Sequence, residues 1–246
     1  PIPWDCGTEI AVRDLFSNVP ARKKFLKTVG TEMGHIADTV ARTALGRPEV
    51  QFRLSHNHKT VKSWPPATQH LDRVADVLGK DSRPDLHAIE FKRNGLSISG
   101  WICSPRVTRR SSRSLYIFVN GRFVRDRTIQ HGIFEGFAQR LVRGQFPVAV
   151  VFIAIPFDQV DVNVHPTKNE VRFVNPHQVH EAVKSAIAQR LYEIERVGWR
   201  PANGSRLPVC PAFCALYRRL ICCSASLDEI PNGLSSNRMP STGRPR

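Results

Sequence analysis

One run constrains the fold more than any other: Val148-Ala149-Val150-Val151-Phe152-Ile153-Ala154-Ile155 carries no polar side chain. A strand with one wet face alternates apolar and polar residues, whereas a strand covered on both faces has no reason to. The run therefore predicts an inner strand with cover on both sides. Segments around it supply neighbours and cover. Leu71, Val74, Ala75 and Leu78 have helical spacing before Gly79, a residue suited to a helix C-cap. His87 to Phe91 and Leu96 to Cys103 read as strands joined at Asn94-Gly95, a dipeptide favoured in tight hairpins. Arg106 to Arg113 reads as a polar loop, Leu115 to Val119 as a buried strand, and Asn120-Gly121 as a second tight turn. Ile129, Ile133, Phe137 and Leu141 mark one face of a helix; Val179, Val183, Ile187, Leu191 and Ile194 mark a closing one. From Thr68 onward this order predicts an α/β (α+β) domain with helices on a mixed sheet.

Upstream of Thr68 the pattern belongs to a separate unit. Ile10, Val12 and Phe16 predict a strand from about Thr8 to Phe16. Pro20 suits the first position of a short helix running to Leu26. Thr31 to Leu45 reads as a second helix with Met33, Ile36, Val40 and Ala44 along one face. Val50, Phe52 and Leu54 alternate as a strand, Ser55 to Lys59 turns, and Thr60 to Trp64 returns. Pro65-Pro66 marks a domain boundary. The expected organisation is residues 1–66, residues 67–196, and a tail over 197–246. In that tail apolar periodicity disappears, prolines and serines cluster, and lysine vanishes. Cys210, Cys214, Cys222 and Cys223 lack C-x-x-C spacing and no histidine follows His180, so the tail reads as a disordered linker or a frame-shifted artefact rather than a zinc module.

Charge narrows the partners. Lys+Arg number 36 against 21 Asp+Glu, a net charge of +15, which points to a polyanion such as nucleic acid. Arg22, Lys23, Lys24 and Lys27 form one cluster; Arg122, Arg125 and Arg127 form another. No recognition helix, aromatic platform or finger spacing accompanies them, so sequence-independent phosphate contact is the expected mode. No apolar run reaches membrane-spanning length, so no membrane association is expected. Pro1-Ile2-Pro3-Trp4-Asp5 has neither an initiator Met nor the pattern of a signal peptide, and the chain is expected to begin inside a longer protein. Isolated Cys6 and Cys103 make no disulfide framework, so a reducing cytosol is expected.

The chemistry concentrates after the apolar run. Val160, Val162 and Val164 alternate with Asp161, Asn163 and His165, predicting a half-buried strand that Pro166 stops. Lys168 follows on the turn, the single lysine between Lys92 and Lys184. A lone cation at a strand end suits one anionic oxygen, such as a terminal phosphate. His165, with no nucleophile nearby, reads as a loop-fixing residue; His35, His56 and His58 have no metal-ligand spacing, and no metal site is predicted.

The run Asp161 to Phe173 resembles the VNVHP-x-K-x-EVRF signature of the MutL family of DNA mismatch repair ATPases. Gly7 to Leu26 resembles the GT-x-(I/V)-x-V-x-DLF-x-N-x-PAR-x-KFL segment that ends that family's ATPase core, of the GHKL superfamily. Asn120 to Arg127 resembles its VNGR-x-(V/M)-x-D segment. The resemblance implies the C-terminal edge of a GHKL sandwich followed by a ribosomal-protein-like transducer domain. It implies that Thr8 lines an ATP pocket and that Lys168 reaches the γ-phosphate. It assigns DNA contact to Lys27 and Arg127, and the basic clusters add Lys24, Arg122 and Arg125 as expected DNA contacts. In an intact parent it implies ATP and Mg²⁺ as cofactors, a homodimer, DNA, a MutS-type mismatch sensor and a downstream repair nuclease or helicase as partners, and a bacterial, nucleoid-associated location in the cytoplasm. The family's general-base glutamate, Mg²⁺-binding asparagine, D-x-G-x-G turn and GFRGEA lid have no counterpart here, so no catalytic residue is assigned and the fragment alone is expected to be inactive. The competing expectation is a non-enzymatic α/β module that binds nucleic acid by charge alone.

Overall fold

The structure, a computed structural model, describes residues 7–162 and 170–197. Its first elements are α1 (Pro20–Lys23), α2 (Val29–Gly46), the hairpin β1 (Phe52–His56) and β2 (Lys59–Trp64), and α3 (His70–Leu78). Then come β3 (Leu86–Arg93), β4 (Leu96–Cys103), β5 (Thr108–Arg109), β6 (Leu115–Val119), β7 (Arg122–Val124) and α4 (Arg127–Phe137). The chain continues through β8 (Phe146–Pro147), β9 (Ala149–Ala154), β10 (Val160–Asp161), β11 (Arg172–Phe173) and α5 (Pro176–Val197).

β9 lies in the middle of a five-stranded mixed sheet of order β3-β4-β9-β6-β7, as its unbroken apolar run predicts. It runs antiparallel to β4, with Gly100 opposite Val151, and parallel to β6, with Ile117 opposite Val151. Alternate side chains go to opposite faces. On one face Ala149, Val151 and Ile153 join Ile98, Ile102, Ile117 and Val119 in a core closed by Ile129, Ile133 and Phe137 of α4 and by Val183, Ile187 and Leu191 of α5. On the other, Phe152 stacks on Phe118 with ring centroids 4.9 Å apart, and His70 of α3 lies 4.9 Å from Phe152 and 5.1 Å from Trp101. Each fully buried Val, Ile or Phe contributes about 1.5–3 kcal/mol relative to exposure, so two covered faces stabilise this sheet far more than one would.

Asn57-His58, Asn94-Gly95 and Asn120-Gly121 turn with both central residues at positive φ, the geometry that matches strand twist in a two-residue hairpin. Helices α4 and α5 approach closely because Gly132 and Gly136 have no side chain. A Cβ on Gly132 would lie 2.8 Å from the His180 carbonyl oxygen, and one on Gly136 2.8 Å from Ile187 Cβ.

Four expectations are corrected. Residues 8–16 form no strand: Ile10 and Val12 are 83% and 73% exposed, because alternation makes a strand only where a neighbour completes the ladder. The loop over 106–113 contains β5, which pairs with β8. Helix α4 stops at Phe137, where Ala138 takes a positive φ of 34°, and Leu141 reaches the core from beyond the helix end. Helix α1 ends at Lys23, short of Leu26. The expected strand through His165 is seen as β10 at Val160–Asp161; its later residues lie outside those described.

Gly100 has a φ of +139°, and a Cβ there would stand 2.1 Å from the Val150 carbonyl oxygen on β9. Gly100→Ala is therefore expected to destabilise by more than about 3 kcal/mol, since strained backbone and the inner strand pair must both give way. Gly34→Ala, with nothing within 4 Å of the new Cβ, should be neutral or stabilise by up to about 1 kcal/mol. Urea midpoints of the two variants check the pair; equal midpoints would contradict it.

Candidate nucleic-acid interface

Asp38, on the middle of α2, gathers three groups from the edge of the sheet and its own helix. Tyr116 Oη of β6 donates to Asp38 Oδ1 at 3.2 Å, Arg42 donates to Oδ2, and Arg125 Nη2 lies 3.8 Å from the same oxygen. Arg42 also lies over the Phe123 ring of β7, 4.2 Å from its centroid, a favourable cation–π placement. Burial draws the Arg42 pKa below the usual arginine value, against the pull of Asp38. Burial likewise pushes the Tyr116 phenol up, and the Asp38 carboxylate adds to it, so the phenol stays a neutral donor. One carboxylate facing two guanidiniums leaves local positive charge. A cleft of about 310 Å³ opens beside them, edged also by Arg113.

Arg122, Arg125 and Arg127 are exposed around β7 and the first residue of α4, so the structure brings these predicted residues onto one stretch of surface. Lys24 and Lys27 are exposed before α2, where the Lys27 amide donates to Glu32 Oε1 at 2.9 Å. Along α2, Lys27 is roughly 15 Å of helix rise from Asp38, so α2 is the rod between the two basic clusters. Thr8 is exposed in a stretch without helix or strand. Lys168 and His165 lie outside the described residues.

The ends of the segment bearing Lys168 are well held. Asn120 behaves as an extra strand position: its Nδ2 donates to the Ile155 carbonyl at 2.9 Å and its Oδ1 accepts from the Ile155 amide at 2.9 Å. That fixes the chain as it leaves β9. Val160 then pairs with Phe173 and Asp161 with Arg172, and the Val174 amide donates to the Gln159 carbonyl at 3.0 Å. Val160, Val171 and Phe173 are all buried in the main core. The described residues on either side of 163–169 are therefore paired with each other and anchored in the core.

Arg73 of α3 is the residue that spacing did not single out. It is wholly buried, and its Nη2 donates to the carbonyls of Pro48 at 2.8 Å, Val50 at 2.7 Å and Pro65 at 2.8 Å. Burial draws its pKa below the usual value, with Asp76 and Glu49 pulling the other way. The guanidinium ties both ends of the β1–β2 hairpin to α3. Asp38, Arg42, Tyr116 and Phe123 were also missed, because their contacts join positions far apart in the chain. No helix among the described residues is long and apolar enough to cross a membrane.

Residues 74–192 match the family model described as DNA mismatch repair protein, C-terminal domain. The DNA mismatch repair protein MutL of Geobacter sulfurreducens is 45% identical over 185 residues, 75% of this chain and 30% of that protein. The same-named protein of Anaeromyxobacter sp. (strain K) is 39% identical over 209 residues, 85% of this chain and 34% of that protein. The chain thus spans about a third of the length of these curated relatives. A crystal structure of the N-terminal domain of a DNA repair protein is similar in fold, with a TM-score of 0.62 at 20% identity over 74% of this chain and 60% of that one.

Removing the Arg73 guanidinium leaves buried carbonyls without donors, each costing about 1–3 kcal/mol. Arg73→Met should lower stability by roughly 3 kcal/mol or more, and Arg73→Lys should restore only part, because lysine has no second terminal nitrogen for the contact Nη1 makes with the Trp64 carbonyl at 3.5 Å. Chemical denaturation of both variants measures this; a methionine variant as stable as the parent would refute the role.

Proposed function

The chain belongs to the MutL family of DNA mismatch repair proteins, and we propose that it couples a nucleotide bound elsewhere in its parent to DNA held on the basic surface. The observation that carries this reading is the anchoring of the described residues on either side of 163–169. Asn120 holds Ile155 at the end of β9, β10 pairs with β11, and Val160, Val171 and Phe173 pack into the core beneath the sheet whose edge strand bears Arg122. A cation presented from a fixed root contributes charge at a phosphate without first losing the freedom of a loose loop.

The nucleotide is ATP with Mg²⁺, and Lys168 meets its γ-phosphate while Thr8 borders the pocket. The fit of this chain to that cofactor is partial. It offers a cation for the phosphate but no general base and no Mg²⁺ ligand at a matching motif, so hydrolysis belongs to residues of the parent outside this sequence. A charge-assisted contact to the γ-phosphate distinguishes triphosphate from diphosphate, which makes the segment a sensor of nucleotide state. DNA is bound without regard to sequence, by phosphate contacts from Lys24, Lys27, Arg122, Arg125 and Arg127. In the bacterial cytoplasm the parent acts as a homodimer on the nucleoid, passing a signal from a MutS-type mismatch sensor to a nuclease or helicase. The simpler reading, a module that binds nucleic acid by charge alone, leaves Lys168 no nucleotide phosphate to meet.

Duplex binding by the chain tests the DNA half of this reading. Neutralising ~6 phosphates predicts a log–log salt slope of about −5. Lys27→Glu with Arg127→Glu should weaken binding equally on unrelated sequences and flatten the slope by about 2. An affinity independent of salt, or unchanged in the double variant, would remove this surface from the account.

A further inference from the structure

The seam between α4 and α5 carries a cluster that neither DNA nor nucleotide explains. His131 and Glu135 stand one turn apart on α4; His180 faces them from α5. His131 Nδ1 lies 3.0 Å from His180 Nε2, with the rings stacked at 5.1 Å between centroids. Glu135 Oε1 lies 3.4 Å from His131 Nδ1 and 3.9 Å from His180 Nε2. Ligand atoms about 2.0–2.1 Å from a tetrahedral ion stand on the order of 3.3 Å from one another, so these separations outline one face of such a site.

The surrounding groups fit the same purpose. Glu181 Oε1 lies 3.2 Å from His180 Nδ1, which draws that ring's proton to Nδ1 and turns the Nε2 lone pair toward His131. Lys184 Nζ holds Glu135 Oε2 at 2.8 Å, leaving Oε1 to face the two rings. With neutral imidazoles, Glu135, Glu181 and Lys184 sum to one net negative charge, which favours a cation. A single proton between the two nitrogens satisfies one pair of atoms; a metal ion satisfies all three. The backbone positions are fixed by Gly132 and Gly136, whose missing side chains set the close approach of α4 to α5.

We propose that His131, Glu135 and His180 form a binding site for a divalent transition-metal ion of the zinc type, open to solvent at its fourth position, that clamps α4 to α5. Imidazole with one carboxylate suits Zn²⁺ better than Mg²⁺ or Ca²⁺, which prefer all-oxygen shells. A second grouping, His177, His180 and Glu181, shares His180 but sits on one helix, and would not join α4 to α5. Sequence spacing does not reveal the site, because two of its ligands come from one helix and the third from another.

Calorimetric titration of Zn²⁺ into the full chain, with thiols alkylated in every sample so that cysteines do not compete, tests the proposal. Saturable one-to-one binding is expected, at least tenfold weaker in His131→Ala and in Glu135→Gln, and within twofold of the parent in His177→Ala. Zn²⁺ should also raise the melting temperature of the parent and of His177→Ala but not of His131→Ala. His131 is exposed, so its alanine variant tests the site without opening the core. No saturable binding, undiminished binding in His131→Ala, or a loss confined to His177→Ala would each overturn the proposal.

Discussion

The structure turns on one buried guanidinium. Arg73 has no carboxylate within its hydrogen bonds; it spends its donors on the carbonyls of Pro48, Val50 and Pro65. A charge taken out of water is stable there only because one nitrogen, Nη2, meets three carbonyl oxygens at once. Those oxygens belong to the chain on either side of the β1–β2 hairpin, so the tie sets where α2 leaves off and where α3 begins. From the next layer, His70 of the same helix binds the Leu45 carbonyl at 2.8 Å and packs its ring against Trp101 and Phe152 of the sheet. α2, α3 and the inner strands are thereby held by a short chain of contacts. The Asp38 cleft exists because α2 is held there.

The inner strand explains the rest of the packing. With β9 covered on both faces, its two neighbours must also present apolar residues to both, and β6 is buried at every position. Asn120 closes the end of this arrangement by pairing with Ile155 as a strand would. The same contact fixes the start of the segment that bears Lys168. A motif asparagine that reads as a turn former is thus also a structural bond between the β6–β7 turn and the chain leaving β9.

Local chemistry was legible in the sequence; partnership was not. The apolar run of β9, the Asn-Gly turns and the faces of α4 and α5 depend on neighbours a few residues away, and each stands where its pattern predicts, except that α4 ends at Phe137 before Leu141. Arg122, Arg125 and Arg127 cluster in the sequence and so cluster on the surface. Residues 8–16 show the limit: alternation is present, but the ladder that would make it a strand is not among the described residues. Arg73 shows another. On a short amphipathic helix an arginine reads as a solvated position, and only the fold reveals that Pro48, Val50 and Pro65 converge on it. Asp38 and Tyr116 are 78 residues apart in the chain, and no spacing rule connects them.

We propose that the segment over 162–171, between the paired β10 and β11, reports the state of the nucleotide. Hydrogen exchange of that segment in the intact parent protein measures it most directly. The account predicts slower exchange with a non-hydrolysable triphosphate than with the diphosphate, and loss of that difference in Lys168→Ala. Equal exchange with both nucleotides, or an undiminished difference in Lys168→Ala, would contradict it.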